Sequence, residues 1–218
     1  MLKKTFFPLI FISLILAACG GPSPEEEIYE HLEEAVRLEA DFEAQQDEIT
    51  ALEIEEQEIF EQIGDLSLSE METIQQLAER ALAIIEERRE KLTIERDSIY
   101  ASKEEFEKIH DLIQEISAEE VKDKADELYQ VMMARYDAYD VLYDAYDRSL
   151  KLEKELYILY QDETVTEEVL REQIAKINDT YQEVLDSNDK FNDQSVTYNE
   201  LKKEFYDLAD IQVVYKED

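Results

Sequence analysis

The sequence predicts an all-α fold, an elongated up-and-down antiparallel four-helix bundle with coiled-coil-like heptad packing. Three observations lead there. Beyond Pro24 the chain has no proline and a single glycine, Gly64, so it lacks the residues on which tight turns and strand ends depend. Its apolar residues recur at alternating steps of three and four, the spacing of a helix face rather than of a strand. The pattern is interrupted near residues 66, 117 and 164, which leaves helices joined by short turns, the connectivity of antiparallel neighbours.

The first helix is expected from about Glu25 to Ile63, with Ile28, Leu32, Ala35, Phe42, Ile49, Leu52, Ile59 and Ile63 on one stripe. The segment Gly64 to Ser69 stops it. Ser69 and Glu72 have the spacing of a capping box, in which a hydroxyl and a carboxylate each satisfy a free backbone N–H. The second helix then runs to about Ile116 along Ile74, Ala78, Ala81, Ile85, Leu92, Ile99, Phe106, Ile109 and Ile113. Ser117 and Glu120 repeat the capping spacing and open a third helix, which reaches about Tyr160. The polar stretch Gln161 to Thr166 precedes the fourth, carried by Leu170, Ile174, Ile177, Tyr181, Val184, Phe191, Tyr198, Leu201, Phe205 and Leu208. The tail Ile211 to Asp218 is expected to fray. Helices of about 40 residues would be about 60 Å long at 1.5 Å per residue. Their seven-residue period implies left-handed supercoiling with knobs-into-holes packing. Longer coiled-coil hairpins that pair between molecules are the alternative.

Within the third helix, Tyr136 to Asp147 reads YDAYDVLYDAYD and nearly repeats after one heptad. Tyr129, Tyr136, Tyr143 and Tyr157 share one heptad position, and Met132, Tyr139, Tyr146 and Tyr160 share another, so the tyrosines form one helical face. Asp137, Asp140, Asp144 and Asp147 fall on a neighbouring, solvent stripe. The spacing predicts a mostly buried tyrosine face whose hydroxyls reach polar partners at its edge. With the turns as hairpin centres, Tyr146 lies level with Arg88, Gln46 and Tyr181, and Tyr139 with Glu95, Glu39 and Asn188. Arg88, Glu95 and Asn188 occupy seam positions where the pattern asks for an apolar residue, so the middle of the bundle should be polar. Two readings stay open: an internally hydrogen-bonded layer that fixes register, or a ligand-binding cleft made by Arg88, Glu95, Tyr139, Tyr146, Tyr181 and Asn188.

The chain holds 57 acidic and 22 basic residues, a net charge of -35. Such a surface disfavours nucleic acid and anionic lipid headgroups as partners, because both reward basic patches. Hydrophobic residues make up 44% of the chain, enough for a core and too many for a disordered segment. No glycine-rich phosphate loop or nucleophile elbow is present, and no EF-hand loop, which needs a glycine between spaced acids. A di-iron site would need two Glu-x-x-His pairs; Glu107 and His110 make one, but the other histidine, His31, follows Ile28. No enzyme, metal or cofactor is therefore expected.

The N-terminus gives an address. Lys3 and Lys4 precede an apolar run from Phe6 to Ala18, about 13 residues against the roughly 20 that a membrane-spanning helix needs. Residues 1–18 thus read as a cleaved signal peptide, residues 19–24 as an anchor and flexible linker, and residues 25–218 as the acidic helical body. Leu16, Ala17, Ala18 and Cys19 resemble, in order and spacing, the lipobox of bacterial lipoproteins. That resemblance implies lipidation of Cys19 and tethering to the outer face of the cell membrane. Cys19 is also the single cysteine, so no disulfide can form within the chain.

With the Gly-Pro linker and the acidic all-helical body, these residues resemble the cell-wall-binding lipoproteins (YkyA-like) of Bacillus-type Gram-positive bacteria. The resemblance covers the whole chain in organisation, with the lipobox as its specific motif. It implies a four-helical up-and-down bundle, a non-catalytic extracytoplasmic lipoprotein and a wall glycan such as peptidoglycan as partner. The alternative is a helical scaffold that docks on another envelope protein or on itself. Oligomeric state is left open.

Overall fold

The computed structural model describes residues 21–212, among which every regular element is helical. Four rods run up and down. Rod 1 is α1 (Pro24–Leu38) followed by α2 (Ala40–Gly64); rod 2 is α3 (Met71–Phe106) with the short α4 (Ile109–Ile113); rod 3 is α5 (Glu119–Tyr160); rod 4 is α6 (Glu167–Leu208). The expected bundle and its antiparallel order are present: His31 faces Glu105, Gln46 faces Glu95 and Glu56 faces Arg88 across rods 1 and 2.

The caps differ from the expected ones in instructive ways. Rod 1 begins earlier, because Ser23 and Pro24 are not linker. The Ser23 hydroxyl accepts the Glu26 N–H at 3.2 Å, the Glu26 carboxylate accepts the Ser23 N–H at 2.9 Å, and Pro24 occupies the first helical turn. The capping box before rod 2 uses Ser67 and Glu70 rather than Ser69 and Glu72. It closes a single 3-10 turn, Leu68–Glu70, that leads into α3. Before rod 3 the Ser117–Glu120 box does not form; Ala118 occupies the cap position with no side-chain bond. Rod 4 is capped by the Thr166 hydroxyl. It ends in a left-handed turn at Asp210 (φ 56°), with the Ile211 N–H returning to the Tyr206 carbonyl at 2.9 Å. Ile211 therefore packs on the core instead of fraying, and residues 213–218 lie outside the described part.

Rod 1 is not one helix. The Ser98 hydroxyl of α3 donates to the Leu38 carbonyl at 2.6 Å and accepts the Phe42 N–H at 3.2 Å. Those two backbone groups would bond each other in an unbroken helix, so an inserted hydroxyl bends the rod at Glu39. The freed Glu39 side chain receives both terminal nitrogens of Arg135, at 2.8 and 2.7 Å, and the Ser102 hydroxyl at 2.9 Å.

The core divides in two. At the end holding Pro24, all four rods contribute: Ile28 and Leu32, Phe106 and Ile113, Leu128 and Tyr136, Phe205 and Tyr206. Each large apolar side chain buried there stabilises the fold by about 1.5–3 kcal/mol. Toward the opposite end the core is built from Ile59 and Ile63, Ala81 and Ile85, and Leu150 and Tyr157. Among the described residues, rod 4 contributes none to this second core. There α6 lies on α5, and the space between α6 and α2 stays open.

Candidate functional site: a cleft between the first and last rods

Where rod 4 leaves the core, a cavity of about 590 Å³ opens between α2 and α6. Its walls are Phe60 from α2, Leu156 and Tyr157 from α5, and Ile174, Ile177, Val184 and Leu185 from α6. Of these, Ile174, Ile177 and Val184 belong to the apolar stripe that the heptad pattern gives the helix. Tyr181 stands at the opening, 40% exposed, and Leu185 beside it is 58% exposed.

The floor is polar and centred on Arg88, which is only 2% exposed. Its guanidinium donates to the Glu153 carboxylate at 2.7 Å, to Glu56 in a closer contact, to Glu53 at 3.3 Å, and to the Tyr146 hydroxyl at 2.8 and 3.0 Å. Tyr146 in turn donates to Glu53 at 2.6 Å, and the Arg88 guanidinium lies 5.2 Å from the Tyr146 ring centroid. Burial alone would lower the Arg88 pKa, but Glu153, Tyr146, Glu56 and Glu53 raise it and keep the group cationic. Glu56 is pushed the other way for an acid: burial, and then the neighbouring Glu153, raise its pKa against the pull of Arg88. Burial, followed by Glu153, likewise raises the Tyr181 hydroxyl. The Oε1 atom of Glu153 has no hydrogen-bond partner.

Of the six candidate ligand residues, the fold brings three together: Arg88, Tyr146 and Tyr181 all line the cleft. Glu95 and Tyr139 lie outside its lining, 4% and 1% exposed, in a packed layer nearer the Pro24 end. There Gln46 donates to Glu95, whose carboxyl is pushed up to about 7 by burial. Tyr139 packs its ring against Phe42 and Phe191. Asn188 faces solvent, and the neighbouring seam positions are taken by Ser187 and Phe191. Gln46 is level with Glu95 rather than with Arg88, which faces Glu56, and Glu39 with Arg135 rather than with Tyr139; the offset from the expected register is thus already present between the first turn and the bend. The expected tyrosine face is largely inside: Tyr136, Tyr139 and Tyr157 are buried, while Asp137 and Asp144 are exposed.

Glu56 and Glu153 complete the floor and were not singled out in the sequence. Both occupy heptad positions that are otherwise apolar or aromatic, Glu56 between Ile49 and Ile63, and Glu153 between Tyr146 and Tyr160. Among the described residues no group of three or more His, Cys, Asp or Glu is arranged to hold a metal ion. His31 pairs with Glu105 at 2.7 Å, and His110 leans on Tyr129. Leu16, Ala17, Ala18 and Cys19 lie outside the described residues. No helix among the described residues is long and apolar enough to cross a membrane.

The profile of a protein family, YkyA, described as "Putative cell-wall binding lipoprotein", matches residues 23–208, the helical body with its cleft. A relative from Bacillus subtilis, "Uncharacterized lipoprotein YkyA", is 32% identical over 202 residues, which cover 93% of this chain and 91% of that protein. The 1.6 Å crystal structure of a conserved Staphylococcus aureus protein of unknown function superposes with a TM-score of 0.66. It covers 86% of this chain and 98% of its own at 15% identity, a likeness of fold.

Proposed function

Since this chain belongs to the YkyA family, described as putative cell-wall binding lipoproteins, we propose that it is a non-catalytic binding protein of the cell envelope. Cys19 carries the lipid, the body lies on the outer face of the cell membrane, and the cleft between α2 and α6 engages the wall. The observation that carries this reading is the cleft itself: a cavity of about 590 Å³ with apolar walls, Tyr181 at its opening and a few convergent polar groups on its floor. That is the usual make-up of a small-ligand site. Its position also fits, because the four-rod end holds Pro24, next to the proposed anchor, and the open half points away from it.

The charge narrows the target. A chain of net charge -35 is repelled by anionic wall polymers, so the contact falls on neutral or cationic parts of the wall, or is bridged by divalent cations. The test is co-sedimentation of the unlipidated chain from Gly20 onward with purified sacculi, across a salt series, with calcium or with EDTA. Saturable pelleting that weakens on Tyr181→Ala, with folding intact, supports the cleft as the binding surface. Loss with EDTA assigns the contact to cation bridging, and no pelleting under any condition removes wall binding.

A second reading, a scaffold that associates with an envelope protein or with itself, draws on the exposed apolar residues Leu185 and Val196 of α6, 58% and 59% exposed. It requires association that grows with concentration, which sedimentation velocity measures.

A further inference from the structure

The cleft floor is unbalanced in charge. Glu53, Glu56 and Glu153 converge on one arginine, so acid exceeds base when all are ionised. Glu153 is 2% exposed and lines the cavity, yet its Oε1 has no hydrogen-bond partner among the described residues, with the Tyr181 hydroxyl and the Glu56 carboxyl as its close polar neighbours. A buried carboxylate oxygen without a donor is costly, so the site has an acceptor to offer. The groups around it come from every element of the cleft: Glu53 and Glu56 from α2, Arg88 from α3, Tyr146, Glu153 and Tyr157 from α5, and Tyr181 from α6, which adds no charge to the lining. Above them Phe60, Leu156, Ile174, Ile177 and Val184 form an apolar shaft. A bare divalent cation would find few oxygens along such a shaft, and a neutral sugar would leave the excess negative charge unanswered.

Building on the reading of this cleft as a binding site, we propose that its ligand is a primary amine borne on an aliphatic stem, the ammonium group donating to Glu153 Oε1 and the stem lying between α2 and α6. The stem loses water against the walls while the cation balances the floor. A proton can hold the same place: burial and Glu153 raise the Glu56 carboxyl, so the amine displaces a proton when it binds. Affinity then strengthens as pH rises from about 6 to about 8, and weakens once the amine itself deprotonates near about 10. Two wall sources offer this chemistry, amines of stem peptides and amines of ester-linked amino acids.

The first arm titrates 1,5-diaminopentane into the unlipidated chain by calorimetry in two buffers of different ionisation enthalpy. Binding with proton release is expected. Glu153→Gln should weaken it about tenfold or more, the value of a hydrogen bond to a charged group. Asn178→Trp, at an exposed α6 position on the cleft lining, should block it without touching the core. No binding at millimolar diamine, or binding that both variants leave unchanged, overturns the proposal. The second arm compares sacculi that are native, amine-acetylated, or treated with mild base to hydrolyse amino-acid esters. Loss of pelleting on acetylation alone assigns the ligand to stem-peptide amines, and loss on both treatments to ester-linked ones. Pelleting that survives acetylation yet fails with Asn178→Trp overturns the amine while keeping the cleft as a wall site. Diamine binding through Glu153 without pelleting keeps the amine and removes the wall.

Discussion

Arg88 holds two buried glutamates that have no other cation among the described residues, and its replacement by Met should leave buried negative charge at Glu153 uncompensated. Removing one partner from a buried ion pair costs about 3–5 kcal/mol, so urea denaturation of Arg88→Met at neutral pH should show a loss of that order. The loss should shrink in acid, where the glutamates take up protons. Glu95 gives a cleaner pH dependence. Its pKa of about 7, against an ordinary 4.5, means that the folded protein keeps a proton the unfolded chain has released. Its stabilising contribution is therefore complete below 4.5 and is lost as the pH rises to about 7. Glu95→Gln should flatten the stability profile across that window and raise neutral-pH stability by about 2 kcal/mol, measured by urea midpoints at several pH values. At this scale the sequence was partly legible. Arg88 stood out as a cation on an apolar stripe. Glu56 and Glu153 break heptads just as plainly, but among 57 acids a glutamate attracts no notice until its register is followed residue by residue.

The rods were readable because apolar spacing and the shortage of glycine and proline act locally. Their interruptions were not, because the causes lie far away in the chain. The bend at Glu39 comes from Ser98, and its side chain is held by Arg135 of another rod. Ser98→Ala should leave the Leu38 carbonyl and Phe42 N–H without their inserted partner while Arg135 still holds Glu39. A cost of about 1–3 kcal/mol in thermal or urea unfolding is expected. The cap shift from Ser69 to Ser67 has a similar lesson: both spacings satisfy the capping box, and only tertiary packing chooses between them. The last rod is the element whose two halves differ most. Residues 191–206 meet three other rods, whereas residues 167–185 lie on α5 beside the open cleft. Amide hydrogen exchange should be faster in the earlier stretch of α6 than in the later one, and a ligand in the cleft should slow it.

Across the whole molecule the net charge of -35 sets a repulsion that packing must overcome, since the chain has a single cysteine and no internal disulfide. Screening should help: raising sodium chloride from a few millimolar to about 0.5 M should lift the thermal midpoint by roughly 2–4 °C for each kcal/mol of repulsion removed. The bundle, its antiparallel order and its polar middle could be foreseen from the sequence. The division into a four-rod half and a three-rod half could not, because heptads report that a face is buried and not how many neighbours bury it. That division begins close to the bend in rod 1. Before it, Tyr29 and Glu33 touch Tyr206 of rod 4; at it, Phe42 meets Phe191; beyond it, the two rods part around the cavity. Ser98 thus sits where the two rods begin to part, like the pin of a clothes peg whose jaws lie about 25 Å away at 1.5 Å per residue. The end of the bundle where the cavity opens is then open to change separately from the cavity's lining, through one hydroxyl that lies outside it.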